Sequence, residues 1–223
     1  GSSNNNVYPI GARWMRGATV YKTLAAWQAA TGQDAASTYQ PMPAASFTDL
    51  FERADGTTLD AAGGWTRIGG AAGAATTVGG MLNTTTATQA IYHQTLSGAD
   101  HWVSGVIGTP PAATGPFPLA VRVVDANNWI GLRWSTSIVQ WYKCVAGVIT
   151  LMGNATRTVN AGERITLAAR GDALFIYINN EAVHASGWQQ ITDSVLLSGN
   201  KAGLVVFGGA KPALLTEISC AAL

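Results

Sequence analysis

The chain has 223 residues, 48% of them hydrophobic and only 11% charged, with 13 Lys and Arg against 12 Asp and Glu. That length holds one large all-β unit with a full core, while a near-neutral balance without a basic run excludes the electrostatic stripe that draws in a phosphate backbone, so no nucleic-acid partner is expected. No apolar run reaches the roughly 18 residues of a membrane span and the N-terminus lacks a signal-peptide pattern, so no membrane insertion is expected; solubility must rest on neutral polar groups, as in extracellular or virion β-proteins.

Gly1-Ser2-Ser3 reads as a cloning scar, so the chain reads as a piece cut from something longer. Thr23 to Gly32 (Thr-Leu-Ala-Ala-Trp-Gln-Ala-Ala-Thr-Gly) combines a capping Thr, strong helix formers and a terminal Gly, which predicts a short helix. Pro41 and Pro43 then each remove a backbone donor and hold the preceding residue extended. The domain boundary is placed there, dividing an N-terminal segment, 1–46, from a second domain, 47–223. From Phe47 on, short alternating runs separated by turn residues predict strands at Phe47–Phe51, Met81–Thr85, Ala90–Leu96, Trp102–Gly108, Leu119–Asp125, Trp129–Ser135, Ile138–Val145, Val148–Met152, Arg164–Arg170, Ala173–Asn179, Gly203–Phe207 and Leu214–Cys220. So many strands with so little helix predict an all-β fold, and the length suits a two-sheet antiparallel sandwich better than a barrel. Cys144 and Cys220 have neither CxxC spacing nor His-rich company, so two buried thiols are expected, with a disulfide in an oxidising compartment as the alternative.

Two resemblances extend this reading. Leu24-x-x-Trp27-x-x-x-x-Gly32-x-Asp34-x-x-Ser37 resembles the segment that closes many right-handed parallel β-helix domains, over about residues 4 to 38. Phe47-Thr-Asp49-Leu-Phe51-Glu-Arg53-Ala-Asp55-Gly56 with Gly64-Trp65, Arg122-Val-Val-Asp125 with Asn128-Trp129, Gly171-Asp172 with Ile176-Tyr-Ile-Asn179, and Lys201-Ala-Gly203-Leu together resemble the concanavalin A-like lectin/glucanase jelly roll. That resemblance implies that the first and last strands of the second domain pair.

The glucanase branch of that fold carries acids on one strand as acid-x-acid-x-x-acid, so that two carboxyl groups flank one glycosidic bond. Nothing here matches. Asp49, Glu52 and Asp55 cluster, but in a strand-to-turn segment where capping is the ordinary role of Asp. His93, His101 and His184 have no Gly-x-Ser-x-Gly partner, and no catalytic residue is expected. Calcium would need oxygens converging from loops; Asp49, Asp55, Asp60 and Asp125 could contribute, but no Asp-x-Asp-x-Asp run occurs, so no cofactor is expected, with calcium as the alternative. Asn83-Thr-Thr85 and Asn154-Ala-Thr156 match the N-glycosylation sequon, which matters only in a eukaryotic secretory pathway.

Sugar binding needs an apolar platform for the ring face beside polar groups for the hydroxyls. Alternation puts Ile130, Leu132 and Trp134 on one face, read as core, and turns Trp129 and Arg133 outward with Arg122 on the neighbouring strand. Asp125, Asn127 and Asn128 read as a hairpin turn in which Asn supplies φ > 0, with Asn128 also a candidate ligand. Tyr142 and Lys143 join the candidate set, although either Val139/Trp141/Lys143/Val145 or Ile138/Gln140/Tyr142/Cys144 could face inward. His101-Trp102 opens a strand and could present an imidazole at a rim. Trp65, Trp102 and Trp134 read as core.

A β-helix end followed by a jelly roll resembles the distal part of a bacteriophage tail fibre, tailspike or minor tail protein. The expectation is a non-catalytic receptor-binding module of a virion, recognising host cell-surface glycan, in a homotrimer formed through the β-helix side. Two alternatives stand beside it: the carbohydrate-binding appendage of a secreted polysaccharide-degrading β-helix enzyme, and a structural trimerisation cap.

Overall fold

β-Branched and aromatic residues alternating with small or polar ones set the strands, because successive side chains on an extended chain point to opposite faces. The structure is a computed structural model that describes residues 7–8, 14–16, 19–21, 24–32, 38–39, 42–60, 64–70, 73–84, 89–112, 117–206 and 214–223. In chain order its elements are β1 (Val7–Tyr8), β2 (Trp14–Arg16), β3 (Thr19–Tyr21), α1 (Leu24–Thr31), β4 (Thr38–Tyr39), β5 (Phe47–Asp49), β6 (Thr66–Ile68), β7 (Ala75–Val78), β8 (Met81–Thr84), β9 (Ala90–Thr95) and β10 (His101–Ile107). There follow β11 (Phe117–Asp125), β12 (Asn128–Trp134), β13 (Ile138–Val145), β14 (Val148–Thr156), β15 (Arg164–Arg170), β16 (Ala173–Ile178), β17 (Glu181–Ala182), β18 (Gln189–Gln190), α2 (Ser194–Leu197), β19 (Lys201–Val206) and β20 (Leu215–Ala222).

Ahead of the sandwich, β1 pairs with β4 in parallel and β2 with β3 antiparallel. Helix α1 stops as expected at Gly32, which has φ +66° and donates its N–H to the Gln28 carbonyl at 2.8 Å. The Thr23 cap lies outside the described residues, as do Asp34 and Ser37 of the β-helix resemblance.

From β5 onward the described residues form two seven-stranded antiparallel sheets and a separate hairpin of β7 and β8. The first runs β17-β16-β15-β10-β20-β5, with β18 beside β16; the second runs β14-β13-β12-β11-β19-β9-β6. Every strand expected after Phe47 is present, with ends shifted by a few residues. The additions, β6, β7, β17, β18 and α2, are too short to print a period. Strand β5 pairs with β20, Phe47 opposite Cys220 and Asp49 opposite Ile218, as the jelly-roll resemblance implies. Just ahead of β5 the Ser46 N–H donates to the Cys220 carbonyl at 3.0 Å.

Between the sheets, Val103, Leu167, Ile176 and Ile218 meet Leu119, Val121, Leu204 and the expected trio Ile130, Leu132 and Trp134. On β13 the inward set is Val139 and Trp141, which leaves Tyr142 and Cys144 on the outer face. Trp65 joins the core, but Trp102 does not. His101 takes an inward position at the start of β10, so alternation turns Trp102 onto the outer face of the first sheet, among Ala168, Phe175 and Ala221. The two thiols are free and buried in different clusters, Cys144 outside the second sheet and Cys220 in the core, where burial pushes its thiol up to about 12.

Turn chemistry departs from expectation at one hairpin. Neither Asn127 nor Asn128 has positive φ. The Asp125 carboxylate closes that turn instead, accepting from the Asn127 N–H at 2.7 Å and from the Asn128 amide at 3.0 Å. Left-handed residues close other hairpins, Ala146-Gly147 between β13 and β14 and Asn179-Asn180 between β16 and β17. The carboxylates of Asp49 and Asp55 cap turns as read from sequence. Asp49 accepts from the Phe51 N–H at 2.8 Å and the Trp65 indole at 2.6 Å, and Asp55 from the Gly79 N–H at 2.7 Å. Among the described residues no helix is long and apolar enough to cross a membrane.

Candidate functional site on the outer face of the second sheet

Strand register fixes which residues share that face. Ile68, Ile91, Val205 and Phe117 form one row across β6, β9, β19 and β11, and Arg133, Gln140 and Asn154 stand at its far end on β12, β13 and β14. The adjacent row runs His93, Gly203, Ala120, Gly131, Tyr142 and Leu151. Trp129, Cys144 and Ile149 belong to a third. Most of these apolar side chains pack into a second cluster of their own.

Trp129 turns to this face as expected, but it is fully buried. Its ring lies over Gly131, where a Cβ would come within 2.9 Å of the indole and 3.0 Å of Phe117, and its centroid is 5.0 Å from that of Phe117. Only a glycine leaves room there for the two rings, which are tilted 58° to each other. The expectation of a solvent-facing Trp129 is therefore corrected: the indole is a floor, beneath reach of a ligand.

Arg133 rests on that floor. Its guanidinium carbon stands 4.3 Å from the Tyr142 ring centroid and 5.5 Å from that of Phe117, within cation–π range. Its Nε donates to the Gln140 side-chain Oε1 at 3.1 Å and its Nη2 to the Tyr142 hydroxyl. Arg133, Gln140 and Tyr142 are half-buried, while Leu151 and Asn154 on the edge strand β14 are exposed. The group offers a fork of N–H donors, an amide, a phenol and an apolar shoulder on one flat patch. Arg133 and Tyr142 were legible as candidates. Gln140 was missed although it stands directly across β13 from Arg133, and Phe117 because it lies two residues ahead of the strand as read.

The remaining candidates go elsewhere. Arg122 is inside the protein, at 1% exposure with φ +53° in a bulge of β11. Its guanidinium donates to the carbonyls of Leu197 at 2.7 Å and Gly171 at 2.6 Å and pairs with Asp100 at 3.0 Å. His101 is fully buried and accepts the Arg122 backbone N–H on Nε2 at 3.0 Å. Burial first, and the Arg122 charge second, push its pKa down to about 4. Asn128 spends its amide on Asp125 and its oxygen on the Ala146 N–H at 3.0 Å, joining two turns. Lys143 points to the inner side and reaches Asp193 at 2.6 Å. These four are corrected from ligand candidates to internal ties, because each makes its polar contacts within the protein.

His93 shares the site's face but is buried, its pKa pushed down to about 4 by burial and then by the Lys201 charge. Among the described residues no three His, Cys, Asp or Glu side chains gather as a metal would require. The remaining acids weighed for calcium are engaged within the protein, Asp60 by Arg67, the Gly73 N–H and the Tyr92 hydroxyl, and Asp125 in its own turn.

No protein-family model matches the chain, and no curated protein matches it in sequence. Solved structures do resemble it. The carbohydrate binding module CBM66 from Bacillus subtilis is 16% identical at a TM-score of 0.48, covering 71% of this chain and 92% of its own. A Bacillus subtilis protein of unknown function with a galectin-like fold is 10% identical at a TM-score of 0.48, covering 80% and 94%. The CBM2 module of the evolved Dit of Lactobacillus casei BL23 phage J-1 is 10% identical at a TM-score of 0.48, covering 78% and 93%. Likeness at that level leaves the role of this sandwich to be read from its own side chains.

Proposed function

We propose that the sandwich is a non-catalytic carbohydrate-binding module whose ligand lies across Arg133, Gln140, Tyr142, Leu151 and Asn154. The observation that carries this is the Arg133 guanidinium spread over the Tyr142 and Phe117 rings with Gln140 fixed beside it. Hydroxyls need donors and acceptors held in place, and a sugar's C–H face needs an apolar surface; rigid strands supply both without ordering a loop. The patch is open and flat, which suits a polymer chain better than a small molecule.

The finer reading is a host-attachment module of a bacteriophage tail protein that binds cell-surface glycan. The resemblance of residues 4 to 38 to the end of a β-helix supports it, and copies in a homotrimeric fibre would convert weak single-site contacts into avidity. Glycan-array and host-cell binding by the protein and its Arg133→Ala and Tyr142→Ala variants test the reading. Binding by the parent chain, lost by at least about tenfold in each variant, is expected, the loss of one charged hydrogen bond being worth that much. Unchanged binding in both variants would remove the site, and no binding to any glycan or cell would remove the function.

A further inference from the structure

The outer face of the second sheet carries few charges. The positions that register brings to it include two cations, Arg133 and Lys201, while Asp125, at the end of β11, spends its carboxylate within its own turn. Elsewhere Arg53, Arg67, Arg122, Arg157 and Arg164 each face a carboxylate within 4.0 Å. Among the described residues half-buried Arg133 has only neutral partners, the Gln140 amide and the Tyr142 phenol. Both hold the guanidinium by one side, through Nε and Nη2, and Nη1 donates to nothing among the described residues. A guanidinium stripped of part of its water, laid on two rings and left without a counter-charge is arranged to receive one.

The geometry points to an anionic ligand at this site, a saccharide or polyol unit bearing a carboxylate or phosphate that the free edge of Arg133 grips in bidentate fashion; this rests on the carbohydrate-binding reading above. Carboxylate and phosphate oxygens share the spacing that a planar fork matches, and a neutral hydroxyl offers a single acceptor in its place. Lys201 adds to the positive field, although its ammonium is tied to the Val124 carbonyl at 2.9 Å. Gln140 keeps Arg133 in place without neutralising it, as a Glu at that position would.

The test titrates the full chain with three polymers: polygalacturonate for carboxylate, poly(glycerol phosphate) for phosphate, and dextran as a neutral comparator. Binding to at least one acidic polymer is expected to be tenfold or more tighter than to dextran, and to weaken several-fold between low and physiological salt. Which of the two binds identifies the anion. Arg133→Lys keeps the charge but loses the fork, and is expected to weaken binding about tenfold. Gln140→Glu gives Arg133 an internal carboxylate, so it is expected to keep the fold, checked by its thermal melt, and to lose acidic-polymer binding at least tenfold. Equal or tighter binding to dextran, or a Gln140→Glu variant that binds acidic polymers as the parent does, overturns the anionic ligand and leaves the carbohydrate reading standing. Failure to bind all three, together with every glycan on the array, removes both.

Discussion

Trp129 and Arg133 sit on one strand and face the same way, yet their side chains do different work. The indole lies over Gly131, fully buried against Phe117, so Trp129→Ala removes packing and leaves a cavity. We expect it to cost about 3–5 kcal/mol of stability, read as a lower urea midpoint, with any effect on ligand binding following from loss of fold. Tyr142 is the opposite case. Its ring meets Phe117 edge-on at 5.3 Å, and its hydroxyl accepts from Arg133. Tyr142→Phe keeps the ring and removes the acceptor, so stability should change by no more than about 1 kcal/mol, while glycan binding weakens measurably in the same titration. A result in which Trp129→Ala folds normally and only binding is lost would return the indole to the ligand surface.

At the scale of elements, the hairpin of β13 and β14 carries Gln140, Tyr142, Leu151 and Asn154 of the site, and its turn is under strain. Ala146 holds φ +51° ahead of Gly147 at φ +81°, a pair of left-handed residues that matches the twist of the flanking strands but that Ala adopts at a cost. Ala146→Asn is expected to raise the melting temperature, by the equivalent of about 1 kcal/mol, and Ala146→Val to lower it; the reverse order would mean that the turn is not as described. The same hairpin marks the limit of what the sequence says. Alternation alone placed Ile130, Leu132 and Trp134 inward and Arg133 outward, because one slip of register would bury a charge. It could not choose a face for β13, where both alternate sets hold large apolar residues, and the choice fell to Trp141, whose ring lies against Gly153 of β14. Arg122 misled for a related reason: the bulge in β11 breaks the two-residue period at that residue, and a positive φ at Arg leaves no mark in the sequence. Exposure was the other blind spot, since alternation gives direction but not what packs beside a side chain.

For the whole molecule, the same Arg122 is where the sheets are pinned together. Its backbone N–H on β11 donates to the imidazole of His101 on β10, and its guanidinium gathers Asp100, Gly171 and Leu197 from three separate connections. Arg122→Met is expected to cost about 2–3 kcal/mol, because it removes the charged hydrogen bonds to Leu197 and Gly171, while Asp100, 44% exposed, keeps its water. The pin also makes the fold sensitive to acid. His101 must stay neutral to accept from Arg122, and burial holds its pKa, like that of His93, at about 4 against 6.5 for the unfolded chain. Between those values the unfolded state binds the more protons, so stability rises with pH; it is fully present above pH 6.5 and is lost as pH falls toward 4. Each histidine contributes a slope of up to about 1.4 kcal/mol per pH unit within that window. Asp60 does not confuse the reading: burial pushes its carboxyl up, but the Gly73 N–H, Arg67 and Tyr92 together bring it below 3.8, outside the window. Urea unfolding followed from pH 7.5 to pH 4.5 should therefore show a falling midpoint in the parent chain. His101→Gln, which can still accept from Arg122 but cannot titrate, should show about half the slope. A parent midpoint flat across this range would mean that neither histidine is held neutral, and an unaltered slope in His101→Gln would place the proton uptake away from the pin between the sheets.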